Sequence, residues 1–408
     1  MEFLIPSRTA RPADDPIFAL NAEASARRAK GEAIVNATVG ALLDDDGKLA
    51  ILPTVVDALR AVPPVQAAGY APLAGPAAFN EAVVADVLAG TEMAKHAFAV
   101  ATPGGTGALK LAVTDFLEAG QSLLTSSFYW GPYKTIADEN DRAVATYSMF
   151  GKDGELDVAA LDEALTQQLR TQQRALVFIN DPCQNPTGYS MRAPEWRAVV
   201  EAIEIASKNG PITLLIDIAY YLYGSGDPRA FLAHLAPLVG NVGLCFAWSG
   251  SKSFAQYGAR VGALVYVDPD DRRRQRTRDA LAYSCRGTWS NCNHPSMLAV
   301  TRLLTDPSLR VRVDGERAAL KKILDGRVHA FNAAATGTTL RFPRYDGGFF
   351  STVFTPEGKD SAKIAAAMRE HGVYVVPQGS SGLRVALCSV AERDVPRLVS
   401  VMDAAIRA

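Results

Sequence analysis

WSGSKSFAQYGARVGAL, residues 248–264, begins at the end of the apolar run GLCFAWS and closes inside a second apolar run, GALVYV. Between the two, Lys252 sits in a turn of serine and glycine, and Arg260 follows eight residues later. Taken by itself, such a lysine is most simply a surface amine. At the end of a buried strand it can instead be an amine held over a cleft, and the flanking sequence decides. Working outward, AFAVAT (97–102), SLLTSS, AVATYSM, RALVFIN and ITLLID are further short apolar runs, separated by stretches of helical period such as GTGALKLAVTDFLEAG and DVAALDEALTQQLR. Apolar strands alternating with helices predict βαβ units, and so an α/β fold with a mostly parallel sheet of about seven strands, covered on both faces, over residues 97–267. After about residue 310 the pattern loosens into helix, strand and helix, with GFFSTVF, GVYVVP and LRVALCS as strands of a smaller α+β domain. The expected division is 1–50 as an N-terminal arm with part of the small domain, 51–309 as the large domain, and 310–408 as the rest of the small one.

The large-domain strands end in polar residues, and open α/β sheets bind ligands at their carboxyl edge. TPGGTGAL (102–109) would aim the backbone N–H groups of Gly104, Gly105 and Thr106 from a helix N-terminus, a ready anion site, although a glycine turn before a helix is common. NDPCQNPTG (180–188) follows RALVFIN directly and contains Asn185, in what could be only a turn. Asp217 closes the apolar run ITLLID, with Tyr220 three residues on. An acid there is costly without a partner, so it implies either a buried cationic group or a helix cap. With Ser249, Ser251, Lys252 and Arg260, these segments offer an amine, a carboxylate, an anion cradle and ring-facing donors. Pyridoxal 5′-phosphate needs this set: an amine for its aldehyde, a carboxylate for its ring nitrogen, donors for its phenolate oxygen and a phosphate cup.

Composition removes other classes. With 42 basic and 43 acidic residues the net charge is −1, which gives no general attraction to nucleic acid or anionic membrane. No apolar run is long enough to span a bilayer, and MEFLIPSRTARPADD lacks the order of a secretory signal. The five cysteines are scattered without a CxxC pair, so they predict buried reduced thiols in a cytoplasmic protein and no metal site. The run DPDDRRRQRTRD (268–279) reads as a solvated helix opened by Pro269 and its acids, against the alternative of a nucleic-acid patch. Neither GxGxxG nor GxxxxGK[ST] occurs.

Over nearly its whole length the chain resembles the class I aminotransferases of the fold-type I pyridoxal-phosphate enzymes, particularly their aspartate and aromatic branch. The resemblance is carried by NPTG, then Asp-x-x-Tyr, then SxSK with an arginine eight residues on, together with VNATVGALLDDDGKL (35–49) and GYAPLAGPAAF (69–79). It implies that Lys252 holds the cofactor aldehyde and moves the substrate Cα proton, that Asp217 pairs with the ring nitrogen, and that Asn185 and Tyr220 bond the phenolate oxygen. Gly105, Thr106, Ser249, Ser251 and Arg260 match the phosphate cup, with Gly104 where serine is frequent. Trp130, in FYWGPY, matches the residue that stacks on the ring. Tyr70 matches a tyrosine that reaches the phosphate of the neighbouring subunit, which implies a homodimer with shared sites. Arg384, in SGLRVALCS, matches the arginine for the α-carboxylate, and Arg286, in CRGTWSNCNHP, the arginine for a distal carboxylate.

The implied reaction is ping-pong transfer of an amino group from aspartate, glutamate or an aromatic amino acid to a 2-oxo acid such as 2-oxoglutarate. A lyase of the same fold is the alternative reaction, and a non-catalytic cofactor-binding module the distant one. Departures from the pattern bear on substrate: Thr38 stands in place of a flexible glycine near the substrate, Tyr133 and Gln184 in place of histidines. Gly287 and Cys292-Asn293-His294 break the usual proline-rich run, and Trp289 lies close by.

Overall fold

The protein is described by a computed structural model covering residues 3–9, 11 and 16–408. MEFLIPSRTARPADD therefore falls partly outside the described residues. Two compact units divide the chain.

The large unit, Ala50–Asp325 with Pro343–Phe349, is built on a seven-stranded sheet. Its strands are β1 (Ala97–Thr102), β2 (Ser122–Ser126), β3 (Ala143–Tyr147), β4 (Ala175–Asn180), β5 (Ile212–Asp217), β6 (Gly243–Ser249) and β7 (Gly262–Val267). The spatial order is β1-β7-β6-β5-β4-β2-β3, and only β7 runs against the rest. Strand period two sends alternate residues to opposite faces, so the sheet feeds two separate cores. Leu214, Ile216, Phe246, Trp248 and Val265 enter the core packed by the helices Ala77–Val87, Ala193–Ser207 and His294–Thr305. Leu215, Cys245, Ala247 and Leu264 enter the other, packed by Gly104–Phe116, Pro132–Glu139 and Asp271–Thr288. Residues with no exposed surface on both faces explain why the runs read as continuously apolar; truncating one, such as Ile216→Ala, costs about 2–5 kcal/mol.

Local signals start the covering helices. The Asp157 carboxylate accepts the Ala160 N–H at 2.9 Å and caps Val158–Gln172. Pro194 opens Ala193–Ser207, where the Glu195 carboxylate accepts the Arg192 N–H at 2.7 Å. The arginine-rich run forms the helix Asp271–Thr288, capped by Asp270, with Arg273 bonded to Asp268 at 2.8 Å and Arg274 paired with Asp271.

The other unit comprises the described residues up to Leu49, Gly326–Phe342 and Phe350–Ala408. It is an α+β arrangement: Val35–Asn36 pairs in parallel with Val373–Tyr374, and Phe350–Phe354, Gly382–Ala386 and Val376–Gln378 form an antiparallel sheet. The helices Pro16–Ala29, Ser361–Glu370 and Val395–Arg407 accompany these strands. The large unit extends to Asp325, where the sequence pattern puts its limit at 309. The division falls inside the uninterrupted helix Pro307–Ala335; the Asp325-Gly326 pair stands at it in the sequence, but the glycine continues the helix and makes no turn.

Candidate active site

Because β1, β4, β5 and β6 run the same way, their last residues, Thr102, Asn180, Asp217 and Ser249, share one edge of the sheet. Reversed β7 begins at that edge, with Gly262 opposite both Thr102 and Ser249, so Arg260 just before it arrives there too. Gly262 is obligatory: a Cβ there would collide with the carbonyl carbon of Gly104. A cavity of about 170 Å³ opens at this edge, lined by Gly105, Thr106, Trp130, Asn185, Asp217, Tyr220, Ser249, Ser251, Lys252 and Arg260 among others.

Asp217 is 6% exposed, and both of its oxygens are held: Oδ2 accepts the Tyr133 hydroxyl at 2.8 Å and Oδ1 the Ala219 N–H at 3.1 Å. Burial pushes its carboxyl up to about 6, against the opposing pull of those two donors and the Lys252 charge. Lys252 Nζ lies 4.7 Å from the centre of the Tyr257 ring and 5.6 Å from that of Tyr220. Its turn is the four-residue helix Gly250–Ser253, whose Ser251 N–H donates to Ser249 Oγ at 3.3 Å, and the Tyr223 hydroxyl donates to the Lys252 carbonyl at 3.1 Å.

The loop after β4 is tied down through amides. The Asn185 N–H donates to Asn180 Oδ1 at 2.6 Å, while Asn180 Nδ2 donates to the Asp217 carbonyl at 2.7 Å. Gln184 Oε1 accepts both the N–H (2.8 Å) and the hydroxyl (2.6 Å) of Thr187, and its Nε2 donates to the Phe128 carbonyl at 2.6 Å. Gln184 thus builds the turn. Asn185 Nδ2 donates to the Tyr220 hydroxyl at 3.4 Å, whereas buried Asn185 Oδ1 has no partner within the protein.

The anion end combines the N-terminus of Gly104–Phe116 with the Arg260 guanidinium, which donates to Ser251 Oγ at 3.3 Å and to the Pro103 carbonyl at 3.4 Å. Gly104 has φ +73°, and a Cβ there would stand 2.5 Å from Arg260 Nη2, so glycine answers both the backbone and the close approach.

Ten of the residues singled out from the sequence therefore line one cavity, and Gly104 abuts Arg260. Tyr70 and Arg286 are not among the lining residues: Tyr70 is 92% exposed, and exposed Arg286 donates to Ser290 Oγ at 2.7 Å. Thr38 and Arg384 belong to the other unit. There Arg384, 5% exposed, donates to the Thr38 carbonyl at 2.6 Å with its guanidinium 4.9 Å from the Phe350 ring centre. The Thr38 hydroxyl donates to Asn36 Oδ1 at 2.7 Å, and Asn36 Nδ2 in turn to Asn21 Oδ1 at 2.8 Å. Sequence reasoning did not assign Asn180 or Tyr257 to the site. Asn180 carried a usable signal, since it ends a buried strand as Asp217 does.

The residues fit pyridoxal phosphate: a buried acid unable to ionise cheaply without a cation, the amide and hydroxyl donors of Asn185 and Tyr220 on the cavity wall, an aromatic plane at Trp130, and an anion cradle that a Cβ at residue 104 would invade. Among the described residues, no group of three or more His, Cys, Asp or Glu side chains is placed to hold a metal, and no helix is long and apolar enough to cross a membrane.

An open seven-stranded α/β sheet carrying an amine, a buried acid and an anion cradle at one edge is the architecture of a fold-type I transferase. The model of the family "aminotransferase class I and II" matches residues 32–402. An aromatic-amino-acid aminotransferase of Pseudomonas aeruginosa is 29% identical over 302 residues, 71% of each chain, and an aspartate aminotransferase of the same organism is 28% identical over 90% of this chain and 91% of its own. The crystal structure of an aminotransferase from Anaerococcus prevotii, 31% identical, superposes with a TM-score of 0.92 over 99% of both chains. The chain belongs to the class I and II aminotransferases, and it is an enzyme that transfers amino groups.

Proposed function

We propose that the protein moves the amino group between an L-amino acid, aspartate, glutamate or aromatic, and a 2-oxo acid such as 2-oxoglutarate, with pyridoxal 5′-phosphate bound in the cavity described above. The observation that carries this is the convergence of Lys252, Asp217 and Arg260 on one cavity. When bound, the cofactor supplies an aldehyde for amino groups and a cationic ring that draws negative charge from the substrate Cα.

The protein's own residues do the rest. The Lys252 amine holds the aldehyde between turnovers and, once released, carries the proton to and from Cα. Asp217 keeps the ring nitrogen protonated, and the cation in turn offsets the cost of its buried negative charge. Tyr220 and Asn185 donate to the phenolate oxygen. Gly105 and Thr106 N–H groups, Ser249, Ser251 and Arg260 hold the phosphate, with Gly104 leaving room for the arginine. Trp130 covers one ring face. Arg384 takes the α-carboxylate through its planar fork, pre-set by Phe350 and the Thr38 carbonyl, and Arg286 takes a distal carboxylate.

The assembly is a homodimer with shared sites; the exposure of Tyr70, at 92%, supports a role outside its own subunit's cavity. A cytoplasmic location is supported by five buried cysteines, none in a disulfide. Neither nucleic acid nor membrane is a partner. The test is a half-reaction: the cofactor-loaded protein is titrated separately with aspartate, glutamate, phenylalanine and tyrosine while the cofactor absorbance is followed. Conversion to the amine form, reversed by 2-oxoglutarate, is expected. A band indifferent to all four amino acids refutes the proposed substrate class.

A further inference from the structure

Tyr133 has no exposed surface, and its ring is fixed edge-on against Phe178 (5.2 Å, 82°) and Trp130 (5.9 Å, 89°). That packing leaves its hydroxyl 2.8 Å from Asp217 Oδ2. The second carboxylate oxygen is taken by the Ala219 N–H at 3.1 Å, so the two donors together fix the plane of the acid. We propose that Tyr133 is a positioning residue for Asp217, orienting the carboxylate and favouring its ionised form through a hydroxyl that stays protonated, so that the hold on the cofactor ring does not switch with the donor's own titration. This rests on the cofactor reading above.

The groups around the acid support it. The neighbouring strands offer Asn180 and Ala247, neither titratable, opposite Asp217 in register. Tyr220 and Lys252 are the other ionisable groups acting on the pair. Burial and the adjacent carboxylate raise Tyr133 well above the ordinary tyrosine range, so its hydroxyl keeps its proton across the neutral range. A histidine in its place would change charge between about pH 5 and 8.

The experiment uses the cofactor-free protein as well as the loaded one. Asp217 ionisation is read from ¹³C-aspartate resonances, assigned by their loss in Asp217→Asn, and pyridoxal phosphate affinity from tryptophan fluorescence at pH 5.5–8.5, in wild type, Tyr133→Phe and Tyr133→His. A hydrogen bond to a charged group implies that Tyr133→Phe moves the Asp217 midpoint up by about 1–2 pH. Affinity should then fall roughly three- to twenty-fivefold at pH 6.5 and recover towards pH 8.5, as ionisation is restored. Tyr133→His should add a step to the affinity profile between about pH 5 and 8. Wild-type midpoint and affinity in both variants would overturn the proposal. Asp217→Asn with wild-type cofactor affinity would instead overturn the cofactor reading itself, and the role for Tyr133 with it, even if the midpoint in Tyr133→Phe had moved.

Discussion

Replacing Asp217 by asparagine should stabilise the cofactor-free protein at neutral pH while disabling it. Asp217 is 6% exposed, and burial raises its carboxyl from an ordinary 3.8 to about 6. Between those values the native chain retains a proton that the unfolded chain has released. Stability therefore falls as pH rises through the window and stays lower above it. The full penalty is about 3 kcal/mol, of which roughly half is already present at pH 5. The amide introduced by Asp217→Asn cannot ionise and removes the penalty, but its single carbonyl oxygen satisfies only one of the two donors, Tyr133 and Ala219, costing about 1 kcal/mol. The variant should gain about 2 kcal/mol at pH 8, and the gain should shrink by about 1.4 kcal/mol at pH 5. Urea unfolding of both cofactor-free proteins at the two pH values measures this. A variant less stable than wild type at pH 8, or a difference independent of pH, would refute the claim that this buried carboxylate waits for a cation.

Four other outcomes are expected. Lys252→Ala should lower turnover with every amino acid by at least about 10²–10⁴-fold, the range for losing a positioned proton carrier, as read by oxo-acid formation. Gly104→Ala, at φ +73° and 2.5 Å from Arg260 Nη2, should cost about 1–2 kcal/mol and weaken pyridoxal phosphate binding; unchanged cofactor affinity would mean the cradle lies elsewhere. Arg384→Leu should lower kcat/KM for all amino acids alike by about 10²-fold, the loss of charge-assisted bonds to a shared carboxylate. Arg286→Leu should reduce aspartate and glutamate activity by about tenfold or more and leave phenylalanine little changed, and equal losses would reject a distal clamp.

The departures in the sequence separate once side chains are seen. Gln184 spends its amide on Thr187 and Phe128, which makes it a builder of the loop that presents Asn185. Tyr133, in sequence only an unusual residue beyond Trp130, donates directly to Asp217. Thr38 spends its hydroxyl proton on Asn36 Oδ1, so it has no donor left for a ligand. Spacing along the chain could not rank these three, since the partner is two positions away for Thr38, but one of Gln184's partners is 56 positions away and that of Tyr133 is 84.

The sheet and the chemical inventory were readable from the order of residues alone. Buried strands covered on both faces must be apolar throughout, so seven runs could be counted, and polar residues where a run stops betray the ligand edge. Hence Lys252, Asp217, Asn185, Ser249 and the glycine turn at 104–106 were legible as one set. How they meet depends on the folded arrangement. Reversal of β7 leaves no mark in an apolar run, since GALVYV reads the same in either direction, yet that reversal brings Arg260 to the edge where parallel strands end. Asp217 acquires its Tyr133 and Ala219 donors, and its carboxyl rises to about 6, only when helix, strand and loop exclude water around it. The unit division inside Pro307–Ala335 likewise needed the structure, because Asp325-Gly326 continues the helix there while the set of residues it contacts changes.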